Sequence, residues 1–214
     1  EFAVLSDVGN HAYPGMWIAD NGDGANIVFP PYPSTEVVQN MRNTRVGEVE
    51  PYIARVSGDA ALPWRAVAFD DALGLLDNSL FYLLAEPNRI KVTDWIKPGL
   101  VAWVLLNALN ITGVDFESGV NQQTYMHFID FANEYGLPYV ILDEGWSRPE
   151  PDGLLDVIPE IDMPALAEYA ERRGVKLVLW MTATMLDARF EEAFEQFEAW
   201  GIAWIKVDFM QRDD

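Results

Sequence analysis

The sequence predicts an α/β chain: an antiparallel β-sandwich, or the tail end of one, over residues 1–94, then half of a (β/α)8 TIM barrel over 95–214. Three observations predict it. Up to about residue 94, short β-prone runs are separated by clusters of Gly, Pro, Asn and Asp. Beyond that point four near-continuous apolar runs alternate with segments whose apolar residues recur at helical spacing, the pattern of a parallel sheet covered by helices. Four such strands make half a barrel or most of a doubly wound sheet. No GxGxxG follows the first strand and no Walker lysine loop occurs, so half a barrel is the preferred reading.

Taken in order, residues 2–5, 16–19, 27–29, 52–56 and 64–69 read as short strands. The "NGDG" at 21–24 resembles a calcium loop, but it lacks the spaced carboxylates and closing Glu of an EF-hand and reads as a turn. After "DWIKPG" (94–99) the segment "LVAWVL" is the first parallel strand, and 121–135 is a helix stopped by Gly136. "LPYVILD" is the second strand. The next helix has Asp162 as N-cap, Pro164 in its first turn and Gly174 as its stop. "VKLVLWM", a helix over 187–199 ending at Gly201, and "IAWIKVDF" complete the series. The acidic "FEEAFEQFEAW" reads as an outer helix with a solvated face.

The chain carries a net charge of −20, with 34 acidic against 14 basic residues and no basic stripe. Such a balance repels nucleic acid and anionic lipid, so neither is an expected partner. No apolar run reaches the ~20 residues that cross a bilayer, and no membrane insertion is expected. Neutral ligands remain, sugars foremost. Eight tryptophans and eight tyrosines suit sugar rings, although large aromatics more often serve a core. With no cysteine, disulfide and thiolate chemistry are excluded. The opening "EFAVLSDVGN" has neither Met nor a charged segment before an apolar core, so this stretch shows no signal peptide and is expected to be a piece of a longer protein.

In either α/β architecture chemistry sits at the carboxyl ends of the parallel strands. The second strand closes with Asp143, Glu144 and Trp146, the fourth with "KVDF". Alternation along a strand puts Trp204, Lys206 and Asp208 on one face and Ile205 and Val207 on the other. Lys206 at i−2 would favour the ionised form of Asp208, as a glycosidase nucleophile requires. Taken alone, the pair reads equally as an ion pair closing a buried strand. Asp143 and Glu144 read as a loop or N-cap feature as readily as a sugar-binding one. The two histidines, His11 and His127, lie away from strand ends and do not suggest a zinc site.

At these residues the chain resembles glycoside hydrolase family 97, a family of α-glucosidases and α-galactosidases. The similar stretches are "YPGM" (13–16), "PWR" (63–65), "WIKPG" (95–99), "NITGVDF" (110–116), "YVILDEGW" (139–146), "GVKLVLW" (174–180) and "IKVDFM" (205–210), in the family's order. The resemblance implies an N-terminal sandwich, a catalytic barrel and a small C-terminal β-domain, of which this chain would cover the C-terminal part of the sandwich with its linker (1–94) and the first half of the barrel (95–214). Retaining members carry an aspartate nucleophile at the end of the fourth strand, matched by Asp208. Inverting members have a His-His-Glu run after the third strand, where this chain reads "LWMTAT" (179–184). The resemblance thus implies a retaining, double-displacement enzyme acting on α-linked oligosaccharides, α-galactosidase-like. The alternatives are an inverting α-glucosidase of the same family and a non-catalytic sugar-binding homologue.

Lys206 would hold substrate, Glu144 would be the substrate-binding glutamate of the second strand, and Asp143 and Trp146 would stand beside it. The acid/base and most ligands of a family calcium ion would lie beyond Asp214, leaving this stretch inactive alone. Asp7 would be the one calcium ligand here, an aspartate where the family has a glutamate. "WVLLNALN" (103–110) departs from the family's W-D-W-W-N. A periplasmic or secreted location is implied by the resemblance alone.

Overall fold

The computed structural model describes residues 2–11 and 13–210, apart from the side chains of residues 106 and 107. The chain divides into two compact units. One takes the residues up to Val37 together with Arg45–Trp95; the other takes Val38–Thr44 and the residues from Ile96 onward.

The first unit is built from antiparallel pairs. β1 (Phe2–Val8) pairs with β6 (Trp64–Asp70), Phe2 opposite Asp70 and Val8 opposite Trp64. β2 (Trp17–Asp20) and β3 (Ala25–Val28) form a hairpin around the expected turn, where the Asp20 carboxylate accepts the Gly22 N–H at 2.8 Å. β4 (Glu36–Asn40) pairs with β5 (Asn43–Val46), and the tip of this hairpin, Val38–Thr44, belongs to the second unit. Two short helices follow β6: α1 (Ala72–Leu76), capped by the Asp71 carboxylate on the N–H groups of Leu73 and Gly74, and α2 (Leu80–Leu84). The expected strand at 52–56 is absent; that segment runs as bends, and Tyr52 lends its carbonyl to the Tyr32 N–H. Sequence reading missed the β4–β5 hairpin and both helices. These elements are only four or five residues long, too short for a periodic pattern.

The second unit holds a four-stranded parallel sheet in strictly sequential order, β7 (Val101–Trp103), β8 (Tyr139–Leu142), β9 (Lys176–Thr182) and β10 (Trp204–Asp208). A doubly wound sheet would reverse its order among its first four strands, so the sequential order is that of a barrel segment. α3 (Gln122–Glu134), α4 (Met163–Glu171), α5 (Ala183–Ala188) and α6 (Phe190–Trp200) supply the crossovers. The expected helix at 187–199 is two helices that meet at Arg189, whose backbone leaves helical geometry with φ −136°.

The caps are those the residue types dictate. Asn121 accepts the Thr124 N–H at 2.9 Å, and Asp162 accepts the Ala165 N–H at 3.0 Å. Gly201 ends α6 in the left-handed region with φ 71°, while the Ile202 N–H reaches back to the Phe197 carbonyl at 2.9 Å.

One face of the sheet buries Val140, Leu142, Leu177, Leu179 and Met181 against Ile129, Leu166 and Phe197 of the helices. Each such side chain contributes about 1.5–3 kcal/mol on burial, which fixes the register of the sheet. The opposite face carries a smaller cluster of Tyr139, Ile141 and Val178 with Trp103 and Trp204. Ile205 and Val207 pack on the helical side and Trp204 on the other, as alternation required. Lys206 and Asp208 therefore emerge with Trp204 on the face away from the helices.

Candidate active site

The carboxyl ends of β7 to β10 gather the titratable groups. β9 and β10 run in register, Lys206 beside Trp180 and Asp208 beside Thr182. Asp208 is half-exposed, with one oxygen accepting the Phe209 N–H at 2.9 Å and the other accepting the Trp180 indole N–H at 3.2 Å. Phe209 adopts the left-handed region with φ 54°, uncommon for a non-glycine residue, and this turn aims its N–H back at the carboxylate. The Phe209 N–H, then the Trp180 N–H, then the Lys206 ammonium hold the Asp208 carboxyl below its ordinary range.

Lys206 Nζ lies 3.6 Å from Asp208 Oδ2 and 3.3 Å from Asp143 Oδ2, and 4.3 Å from the centre of the Trp103 ring. Asp143 is buried. Its Oδ2 also accepts the Trp103 indole N–H at 2.6 Å, and its Oδ1 accepts the Glu144 N–H at 2.9 Å. Tyr125 of α3 is buried too, and burial together with the charge of Asp143 pushes its phenol well above the ordinary range.

A residue that sequence reading did not select joins this set. The tip of the β4–β5 hairpin carries Arg42, which makes a two-pronged ion pair with Glu144 and sits 5.0 Å from the centre of the Phe209 ring. The tip is fixed by the Thr182 hydroxyl donating to the Met41 carbonyl and by a 3.0 Å contact between the Thr44 and Thr184 hydroxyls. Arg42 is 102 residues from its partner, and no local signal marks it.

The structure thus brings together Asp208, Lys206, Asp143 and, through Arg42, Glu144. Trp146 goes elsewhere. Its indole is fully buried, donates to the Trp180 carbonyl at 2.7 Å and packs edge-on against Phe197 and Trp200. It presents no surface to a sugar, and Asp143 presents almost none.

Asp7 lies on β1 in the first unit. Its Oδ2 accepts the Met16 N–H at 2.9 Å, and its Oδ1 forms an ion pair 2.7 Å from Arg65 Nε, the guanidinium standing about equally far from the Tyr13 and Phe29 rings. Calcium takes six to eight oxygen ligands. Asp7 is paired with arginine, and the described residues contain no group of three or more acidic or imidazole ligands, the other calcium ligands being expected beyond Asp214.

Comparison with known proteins follows the same lines. The family model for glycoside hydrolase 97 matches residues 102–214. A protein from Bacteroides thetaiotaomicron named retaining alpha-galactosidase is 40% identical over 98% of the chain, and one from Streptomyces bingchenggensis named probable retaining alpha-galactosidase is 32% identical over 74%. The chain spans 32% and 25% of the lengths of these relatives. Among solved structures, a glycoside hydrolase family 97 enzyme from Pseudoalteromonas sp. strain K8 in complex with acarbose superposes with a TM-score of 0.70 at 19% identity, covering 97% of this chain and 31% of the other. A beta-arabinopyranosidase superposes with a TM-score of 0.66 at 23% identity, covering 97% and 32%. Sequential parallel strands, acidic strand ends and a matching family model agree: this chain belongs to glycoside hydrolase family 97.

Proposed function

We propose that the chain forms the nucleophile-bearing part of a retaining α-glycosidase that removes terminal α-linked sugars from oligosaccharides, with α-galactosides as the preferred class. The observation that carries this reading is the Asp208 carboxylate, half-exposed at the end of β10, held ionised by two N–H groups and flanked by Lys206. The names of the two relatives support both the retaining outcome and the galactoside. An inverting α-glucosidase would need a base after β9, where the chain has Thr182, Ala183 and Thr184.

In the proposed mechanism Asp208 attacks the anomeric carbon as the glycosidic C–O bond breaks, and a carboxylic acid gives its proton to the leaving oxygen. The same group, now a base, then takes a proton from the water that cleaves the glycosyl-enzyme. Retention needs that second carboxyl ~5–5.5 Å from the nucleophile. Asp143 is committed to Trp103 and Lys206, and Glu144 to Arg42, so the acid/base is assigned to the remainder of the full-length enzyme. Lys206 and Glu144 are assigned to sugar hydroxyls.

The same reading takes residues 1–94 as the end of a sandwich domain with its linker, and 95–214 as the first half of a closed eight-stranded barrel. It also places the enzyme in the periplasm or outside the cell.

The test is proton NMR of the first-formed sugar anomer, using the full-length enzyme on an aryl α-galactoside. The α-anomer is expected, with activity abolished in Asp208→Ala and restored in that variant by azide. First release of the β-anomer would overturn the retaining assignment. Absence of hydrolysis of every α-glycoside tried would support a sugar-binding role instead.

A further inference from the structure

We infer that Asp143 is a positioning residue: with Trp103 it clamps the Lys206 ammonium partly away from Asp208 and so sets how far the nucleophile's charge is neutralised. The inference rests on the reading of Asp208 as the nucleophile. Asp143 has a side chain only 4% exposed, so it cannot act by touching a sugar. Its Oδ2 is the nearer carboxylate to Lys206 Nζ, at 3.3 Å against 3.6 Å for Asp208. One indole serves both partners. The Trp103 N–H fixes Asp143 Oδ2 at 2.6 Å, and the Trp103 ring lies 4.3 Å from the ammonium. Released from this clamp, the ammonium would close onto Asp208, and a carboxylate in a tight ion pair is a poorer nucleophile.

Among the described residues the charged groups around Asp208 are few. Lys206 stands on the same strand, Asp143 lies across that ammonium, and the Arg42–Glu144 pair meets Phe209 through its guanidinium. β9 presents only the neutral Trp180 N–H. Tyr125, the titratable group facing Asp143 from α3, stays neutral through the working range because its phenol is pushed upward.

The test is the pH dependence of kcat/KM for Asp143→Asn in the full-length enzyme. Removing Asp143's charge takes a like charge away from Asp208 and leaves it the whole ammonium. Both changes favour the ionised carboxylate, so the acid limb moves to lower pH. The expected shift is about half a unit to one unit, with kcat on the plateau down about tenfold. Trp103→Phe keeps the ring but loses the N–H, and is expected to move the limb the same way by less. In a Lys206→Met background, adding Asp143→Asn is expected to move the limb by clearly less than in the wild type, because only the direct effect of the removed like charge remains. A fall in kcat with an unmoved limb in both single variants, or an undiminished shift in the Lys206→Met background, would overturn the inference. The parent reading is tested apart from this by azide rescue of Asp208→Ala. If rescue succeeds while the limb stays put, only the clamp is wrong.

Discussion

Asp208 owes its acidity first to two N–H groups, those of Phe209 and Trp180, and only then to Lys206. Its lowered pKa means that ionisation persists until pH falls below the ordinary carboxylate range near 3.9, so activity dependent on that charge is lost only at more acid pH. Trp180→Phe removes one donor. The Asp208 pKa then rises, and the acid limb of kcat/KM moves upward by a fraction of a unit, opposite in sign to the shift expected for Asp143→Asn. The plateau falls by about three- to tenfold, since a hydrogen bond to a charged group contributes about 1.5–3 kcal/mol when buried and less at this half-exposed carboxylate. A pH–rate profile of that variant checks both. At this scale the sequence disclosed Lys206 and Asp208, because a cation and an anion two apart in an apolar strand interrupt its pattern. Trp180 stayed hidden, since a tryptophan in such a strand suits the core equally well, and Trp146 was misplaced for the same reason: an indole's type does not say which way it faces.

Elements show the same division between what local pattern carries and what only packing decides. The strand–helix alternation after residue 95 was legible, with the cap at Asp162 in place, because each unit states its own periodicity. The β4–β5 hairpin was not, for its partners are Glu144 and Thr184, far along the chain. Arg42→Met tests what that hairpin does. Both partners of the ion pair are more than one-third exposed, so its loss is expected to cost at most about 1 kcal/mol of stability. It frees Glu144, however, and KM for the glycoside is expected to change severalfold while kcat holds within about twofold. A matching pair of glycine variants separates backbone strain from crowding. At Gly201 an added Cβ meets nothing within 4 Å, so Gly201→Ala costs only the left-handed conformation, about 1 kcal/mol. At Gly153 the Cβ would fall 2.6 Å from the Arg148 carbonyl oxygen, so the loop after β8 must shift and Gly153→Ala is expected to lower the thermal midpoint more. Calorimetry of the two variants gives the order.

On the scale of the whole molecule the unequal burial of the two units dominates. The helical side of the parallel sheet buries a continuous core, whereas the described part of the first unit consists of two-stranded antiparallel pieces, which are marginal without further packing. Its apolar side chains show this: Leu76 is 85% and Tyr82 82% exposed, and Trp64, Phe69, Leu73 and Leu83 are all largely in solvent. In the described sheet β7 and β10 each leave one edge unpaired. Composition could not reveal any of this, because a hydrophobic fraction of 50% is ordinary whether the residues are buried or bare. Exposed apolar surface beyond a few hundred Å², joined to open strand edges, drives association. The 214-residue chain produced alone is therefore expected to enhance the fluorescence of a hydrophobic dye and to sediment as concentration-dependent oligomers, despite a net charge of −20 that opposes association. Replacing Leu76 and Tyr82 by Ser is expected to reduce dye binding without altering helix content, since both side chains leave the core untouched. A monomer silent to the dye at all concentrations would mean that these side chains fold back onto the first unit. In that case the double Ser variant would lower its thermal midpoint instead of leaving it unchanged.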